Sequence, residues 1–111
     1  MSEGYKVVYS PQAMEDMKDI YAYIAWELHE PGIATAQVNR IREEVRSLDF
    51  MPLRYSLVDW EPWRSKGVRK VSVNNFVVFY TADSDDMIVT ILRIIYGGRD
   101  IARLANEDIP Q

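Results

Sequence analysis

The sequence predicts an α+β domain: an N-terminal strand, an antiparallel helical hairpin, then a three-stranded antiparallel meander with the helices on one face. Three observations carry this. Two stretches before residue 50 repeat apolar residues at steps of three and four, three runs after residue 67 are rich in β-branched and aromatic residues, and the two kinds do not alternate.

Residues 5–9, Tyr-Lys-Val-Val-Tyr, read as the first strand. Ser10 and Pro11 suit a helix N-cap followed by proline at the first helical position. Glu15 and Asp16 lie in the early turns, where carboxylates favour the positive end of the helix dipole. Ala13, Met17, Ile20, Ile24 and Leu28, joined by Met14 and Tyr21, make one apolar face. Glu30-Pro31-Gly32 ends the helix, and a second helix follows over residues 33–48. Its face is Ala34, Val38, Ile41, Val45 and Leu48, at steps of 4, 3, 4 and 3. The short break between the helices predicts an antiparallel pair that needs a flat surface beneath it.

An irregular stretch, residues 49–66, carries Pro52, Pro62, Trp60 and Trp63. Residues 68–73, 76–81 and 87–95 then read as strands, with Asn74-Asn75 as a two-residue turn. The second and third are apolar on both alternating sets, which predicts burial on both faces. One face takes the helices, and the other calls for a C-terminal segment or a partner. Residues 101–104 read as a short terminal helix. Strand order is left open.

The 111 residues fit a single domain spanning 1–111, and 48% hydrophobic residues exclude a disordered chain. With no cysteine, a disulfide scaffold and a thiolate zinc site are excluded, and the lone His29 cannot build a histidine metal centre. No metal or cofactor is therefore expected. The N-terminus lacks the basic start and apolar stretch of a signal peptide, and the apolar run 87–96 is too short to span a bilayer. A cytoplasmic protein that does not engage membranes is the expectation. The net charge of −4 hides an uneven distribution. Residues 1–36 set two lysines against six carboxylates, residues 37–81 eight cations against five, and residues 82–111 three arginines against six. The excess cations sit mid-chain, as ordinary solvated charge or as a working surface.

Phosphate-loop and serine-triad chemistry find no motif: Gly97-Gly98 lacks the lysine and spacing, and a triad would have to use His29 at a helix end. What remains is a group around the meander. Arg93 interrupts an apolar strand, Tyr96 and Arg99 follow at three-residue steps with Asp100 next, and Arg69 and Lys70 point to opposite sides of their strand. Residue chemistry favours an Arg93–Asp100 or Arg99–Asp100 pair fixing the C-terminal turn. The alternative is a cationic cleft for a phosphodiester, in which guanidinium forks hold phosphate and stabilise a developing pentavalent centre.

The pieces 9–13 (Tyr-Ser-Pro-Gln-Ala), 16–20 (Asp-Met-Lys-Asp-Ile), 67–69 (Gly-Val-Arg), 75–80 (Asn-Phe-Val-Val-Phe-Tyr) and 93–100 (Arg-Ile-Ile-Tyr-Gly-Gly-Arg-Asp) occur in an order that resembles the RelE/ParE superfamily of toxins from bacterial type II toxin–antitoxin modules. The resemblance implies a toxin neutralised by a cognate antitoxin in a hetero-oligomer. It implies one of two targets. RelE-like members cleave mRNA on the ribosome, and ParE-like members poison DNA gyrase without a known catalytic site. Arg99 falls where RelE-like nucleases keep an arginine, and Arg69 and Lys70 lie on the strand that carries their lysines. The position after the hairpin turn, where another arginine belongs, is Val77, and the tail after residue 100 has no tyrosine or histidine. The Gly-x-Arg strand and the Arg-x-x-Tyr-Gly-x-Arg-Asp ending look ParE-like. The expectation is thus a gyrase-binding toxin whose target surface includes Arg69, Lys70, Arg93, Tyr96 and Arg99. The ribonuclease alternative gives catalytic roles to Arg69 and Arg99, and a degenerate relative that only binds antitoxin is the third reading.

Overall fold

Strand β1 (Lys6–Tyr9) opens the computed structural model, which describes residues 4–97, and leads into helix α1 (Pro11–Ala22). Ser10 sets that helix start. Its Oγ accepts from the Ala13 N–H at 3.0 Å, and Pro11 fills the first helical position, where no N–H donor is required. The chain continues through a π-helical turn (Tyr23–Glu27) and stops at His29, whose φ of 59° is left-handed. The Glu30 N–H reaches back 3.0 Å to the Ile24 carbonyl, closing the helix end. Helix α2 (Pro31–Arg46) begins two residues earlier than the sequence suggests. Pro31 and Gly32 lie in its first turn, where a missing N–H costs nothing, instead of only separating the helices.

The stripes that periodicity assigns are buried: Ala13, Met17 and Ile20 on α1 with Ile24 in the π-helical turn, and Ala34, Val38, Ile41 and Val45 on α2 with Leu48 in the 3-10 turn (Ser47–Asp49) that follows it. Leu28 departs from the pattern and is half exposed. The π-helical turn takes more residues per turn than an α-helix and so rotates the face before position 28 is reached. Met14 and Tyr21 also stand outside the core, on the flank of α1.

Strands β2 (Arg69–Val73), β3 (Phe76–Asp83) and β4 (Ile88–Tyr96) form the antiparallel meander. Asn74 at φ 55° makes the tight turn between the first two. The sheet has a fourth member, because β1 lies parallel to β4 with Lys6–Tyr9 beside Ile88–Ile91, giving the order β1-β4-β3-β2. The β3–β4 register slips between Phe79 and Tyr80, leaving Leu92 as an extra residue on β4.

Val71, Val73, Val78, Tyr80, Val89, Ile91 and Ile94 face the helices. At the centre of the other face, where the sequence calls for a C-terminal segment or a partner, the irregular stretch supplies cover. Segment 58–68 folds across it and sets Val58, Trp63 and Val68 on Phe79 and Leu92. Trp63 is fully buried, edge-on to Phe79 at 5.7 Å between ring centroids. Arg99, Asp100 and the expected helix at 101–104 lie outside the described residues.

Candidate functional site

Because β1 ends at Tyr9, the outer edge of β4 loses its neighbour after Ile91. The chain fills the gap with side chains. Ser10 N–H donates to the Ile91 carbonyl at 2.9 Å, and Ser10 Oγ donates to the Leu92 carbonyl at 3.1 Å. One turn along α1, Asp16 Oδ2 accepts the Ile94 N–H at 2.9 Å. The same carboxylate takes the Arg93 fork, Nε to Oδ2 at 2.8 Å and Nη2 to Oδ1 at 3.1 Å. The side chains are 9% and 15% exposed, so the pair is largely removed from water while three donors satisfy the carboxylate. Sequence reasoning sought the Arg93 partner at Asp100. The structure pairs it with Asp16, 77 positions away, and Asp100 lies outside the described residues.

Arg69 is also engaged within the fold. Its Nη1 donates to the Tyr55 carbonyl at 2.7 Å and reaches the Leu53 carbonyl at 3.4 Å, tying the irregular segment to the sheet edge. Beside it the Tyr80 hydroxyl donates to the Pro52 carbonyl at 2.6 Å. Burial pushes this phenol up to about 12, with Arg69 opposing, so it remains a neutral donor at physiological pH. Lys70 occupies the alternate position of β2, opposite Phe79, on the face away from the helices.

Tyr96 is half exposed and packs edge-to-face on Phe76 at 5.7 Å. It borders a cleft of about 320 Å³ at the hairpin end, with Ser72, Asn74, Asn75, Val77 and Gly97. The Gly97 N–H donates to the Asn75 carbonyl at 2.7 Å, and a Cβ on Gly97 would stand only 3.3 Å from that oxygen, so the strand end and turn meet closely. No charged side chain lines this cleft among the described residues. The four sequence-assigned positions among the described residues therefore do not form one cluster. Arg93 and Arg69 hold the fold, Lys70 faces the other side of the sheet, Tyr96 alone borders the cleft, and Arg99 lies outside the described residues.

A second concavity, about 640 Å³, runs along the outer flank of α1 beside α2. Met14, Tyr21 and Trp26 are its large apolar side chains, Val38 lines it from α2, and its charged points are the cations Lys18 and Arg42 and the carboxylate Asp19. Trp26 is 70% exposed. Tyr9 closes one end; burial raises its phenol pKa, and Arg42 and Arg46 partly offset that. Among the described residues no group of three metal-ligating side chains assembles, and no helix is long and apolar enough to cross a membrane.

Two signals for these features were present in the sequence. An acid at position 16, between Ala13, Met17 and Ile20, occupies a core position of an amphipathic helix, which is tolerated only with a partner. Arg93 is the matching anomaly in a strand. The groove carried a weaker signal, because Met14 and Tyr21 extend the α1 stripe beyond the width one buried face needs.

The model of a family described as "ParE toxin of type II toxin-antitoxin system, parDE" matches residues 7–101. No curated protein matches the sequence. Among solved structures, the chain is similar to one from the chromosomal ParDE system of P. aeruginosa, with a TM-score of 0.68 and 23% identity over 86% of this chain and 98% of that one. The RelBE2 toxin–antitoxin complex of Mycobacterium tuberculosis gives 0.61 and 21%, covering 85% and 99%. The archaeal RelE–RelB complex of Pyrococcus horikoshii OT3 gives 0.60 and 16%, covering 88% and 100%. At these identities the likeness is one of fold.

Proposed function

The chain belongs to the ParE toxin family of type II toxin–antitoxin systems, and from that premise we propose that it arrests growth in the cytoplasm by binding DNA gyrase until a cognate antitoxin sequesters it. The observation that carries this reading is where the cations are. Arg93 and Arg69 are bonded to Asp16 and to loop carbonyls, and the hairpin cleft is lined by Val77 where the resemblance to RelE-like nucleases implies an arginine. A phosphoryl transition state needs preorganised charge at the scissile group. Described groups offer little of it. Large apolar side chains on the surface favour recognition of protein.

The antitoxin belongs, on this reading, in the α1–α2 groove. A concave apolar channel with cations at Lys18 and Arg42 fits an amphipathic segment carrying a carboxylate beside its apolar residues. The similar solved ParDE and RelBE systems support an antitoxin partner.

The test is expression with and without the protein encoded by the adjacent reading frame. Growth arrest with DNA-damage signalling and intact mRNA is the expected outcome. Codon-positioned new ends on ribosome-bound mRNA, seen by primer extension, would replace this reading with the ribonuclease. Harmless expression would replace it with the non-toxic relative.

A further inference from the structure

The groove follows α1 and the π-helical turn from Tyr9 to Trp26. At about 1.5 Å per helical residue, Pro11 and Trp26 stand roughly 22 Å apart along it. Its two ends differ in chemistry. The Tyr9 end is cationic: Arg42 lines the groove and Arg46 stands one turn further along α2, a spacing at which like charges repel. Among the described residues no hydrogen bond or ion pair engages Lys18, Arg42 or Arg46. The fields of both arginines reach the half-buried Tyr9 phenol, which burial holds in its protonated, donating form. Halfway along, Lys18 and Asp19 offset each other.

The other end is aromatic, and the π-helical turn makes it so. On a regular helix, positions 14, 18, 21 and 25 share one flank. Met14, Lys18 and Tyr21 line the groove as that spacing requires, but the next lining side chain is Trp26. The Leu28 N–H donates to the Tyr23 carbonyl at 3.1 Å, five residues back, so this turn takes one residue more than an α-helical one. Ala25 is thereby turned into the core, 5% exposed, and Trp26 takes the flank. Such turns inside helices are frequent at functional sites.

We propose that the groove reads one antitoxin segment at both ends, and so in one direction: Arg42, Arg46 and the Tyr9 hydroxyl bind a carboxylate of the segment, and Trp26 packs on an apolar side chain at its other end. The inference rests on the antitoxin reading of this groove and adds its recognition chemistry and polarity. Charge selects the acidic end. Two guanidiniums without an internal carboxylate, beside a phenol that donates, gain from a carboxylate what the fold does not give them. Trp26 selects the apolar end, since aromatic anchors dominate interface energetics once water is excluded. A helical segment spanning both ends carries its acid and its apolar anchor about 15 residues apart.

The experiment measures binding of the purified protein encoded by the adjacent reading frame, and of peptides of about 15–20 residues tiling it, at low and at high salt. Wild type is compared with Arg42→Gln/Arg46→Gln, with Trp26→Ala, and with Arg40→Gln as an exposed cation outside the groove. Thermal unfolding is followed in parallel and is expected to be unchanged. The arginine pair is expected to weaken binding about tenfold or more at low salt and to remove most of its salt dependence. Trp26→Ala is expected to weaken it about tenfold or more with the salt dependence intact. Arg40→Gln is expected to bind like wild type. In the captured peptide, an acid-to-lysine change at one end is expected to be rescued by Arg42→Glu/Arg46→Glu, and an apolar-to-serine change at the other end to cost nothing further in Trp26→Ala. Salt dependence that survives the arginine substitutions overturns the carboxylate site, and coupling of both sites to the same end of the peptide overturns the polarity. Binding of the antitoxin unchanged in both folded variants overturns its placement in the groove. Failure of wild type to bind the adjacent protein at all overturns the antitoxin reading and this inference with it.

Discussion

Two regions treat polarity in opposite ways. Where α1 meets β4, a carboxylate, a guanidinium and a serine hydroxyl sit inside the fold and satisfy a strand edge that β1 is too short to cover. Along the outer flank of α1 and on the turn after α2, tryptophan, phenylalanine and methionine stand in water. The contrast teaches how a small chain with a net charge of −4 can still be a toxin. Its described strand arginines stabilise the scaffold, and on the proposed reading its recognition surfaces are apolar. A nuclease would need the reverse arrangement.

Breaking the interior region should give the largest effect. Asp16→Ala leaves the Arg93 guanidinium without its carboxylate and the Ile94 N–H without an acceptor, and should cost about 3–5 kcal/mol in denaturant unfolding. Asp16→Ala with Arg93→Met should recover part of that loss, because the guanidinium that Asp16 compensated is then removed as well. Trp63→Ala should cost about 3–5 kcal/mol as well, since its fully buried ring closes the second face of the sheet. That result would separate a structural tryptophan from the exposed Trp26. Trp26→Ala should leave stability within about 0.5 kcal/mol while weakening antitoxin capture.

Much of this was legible from residue order. The 4-3-4-3 spacing of α2 is buried as its periodicity requires, and the Asn74-Asn75 turn falls where its residues favour positive φ. Periodicity reports a regular element against a core, and it is silent about an irregular one. Segment 58–68 covers the second sheet face with no repeat to announce it, so that face looked open. The Asp16–Arg93 pair joins positions 77 apart, and each partner alone is only a charge in an apolar setting. The parallel pairing of β1 with β4 is equally non-local. Arg69 and Arg93 looked available for a ligand because their internal acceptors, a carboxylate on α1 and carbonyls of an irregular loop, leave no local mark.

A smaller effect concerns the turn after α2. Tyr80→Phe deletes the bond to the Pro52 carbonyl and should cost about 1 kcal/mol. It should also change the alkaline limb of stability. The folded phenol titrates at about 12, against 10.0 for an ordinary tyrosine, so folding holds a proton that the unfolded chain releases. Stability contributed by that proton is intact below pH 10 and is lost as pH rises from 10 towards 12. Unfolding measured at pH 9 and pH 11 should show a smaller loss in Tyr80→Phe than in wild type. The least effect is expected at Lys70, where Lys70→Ala should change stability by no more than about 0.5 kcal/mol.

The central claim, that this toxin acts by binding gyrase and not by cutting RNA, is tested most directly by titrating purified wild-type protein into a gyrase supercoiling reaction. The account predicts loss of supercoiling at toxin concentrations comparable to the enzyme, with recovery when the antitoxin is added. Intact supercoiling at saturating toxin would contradict it.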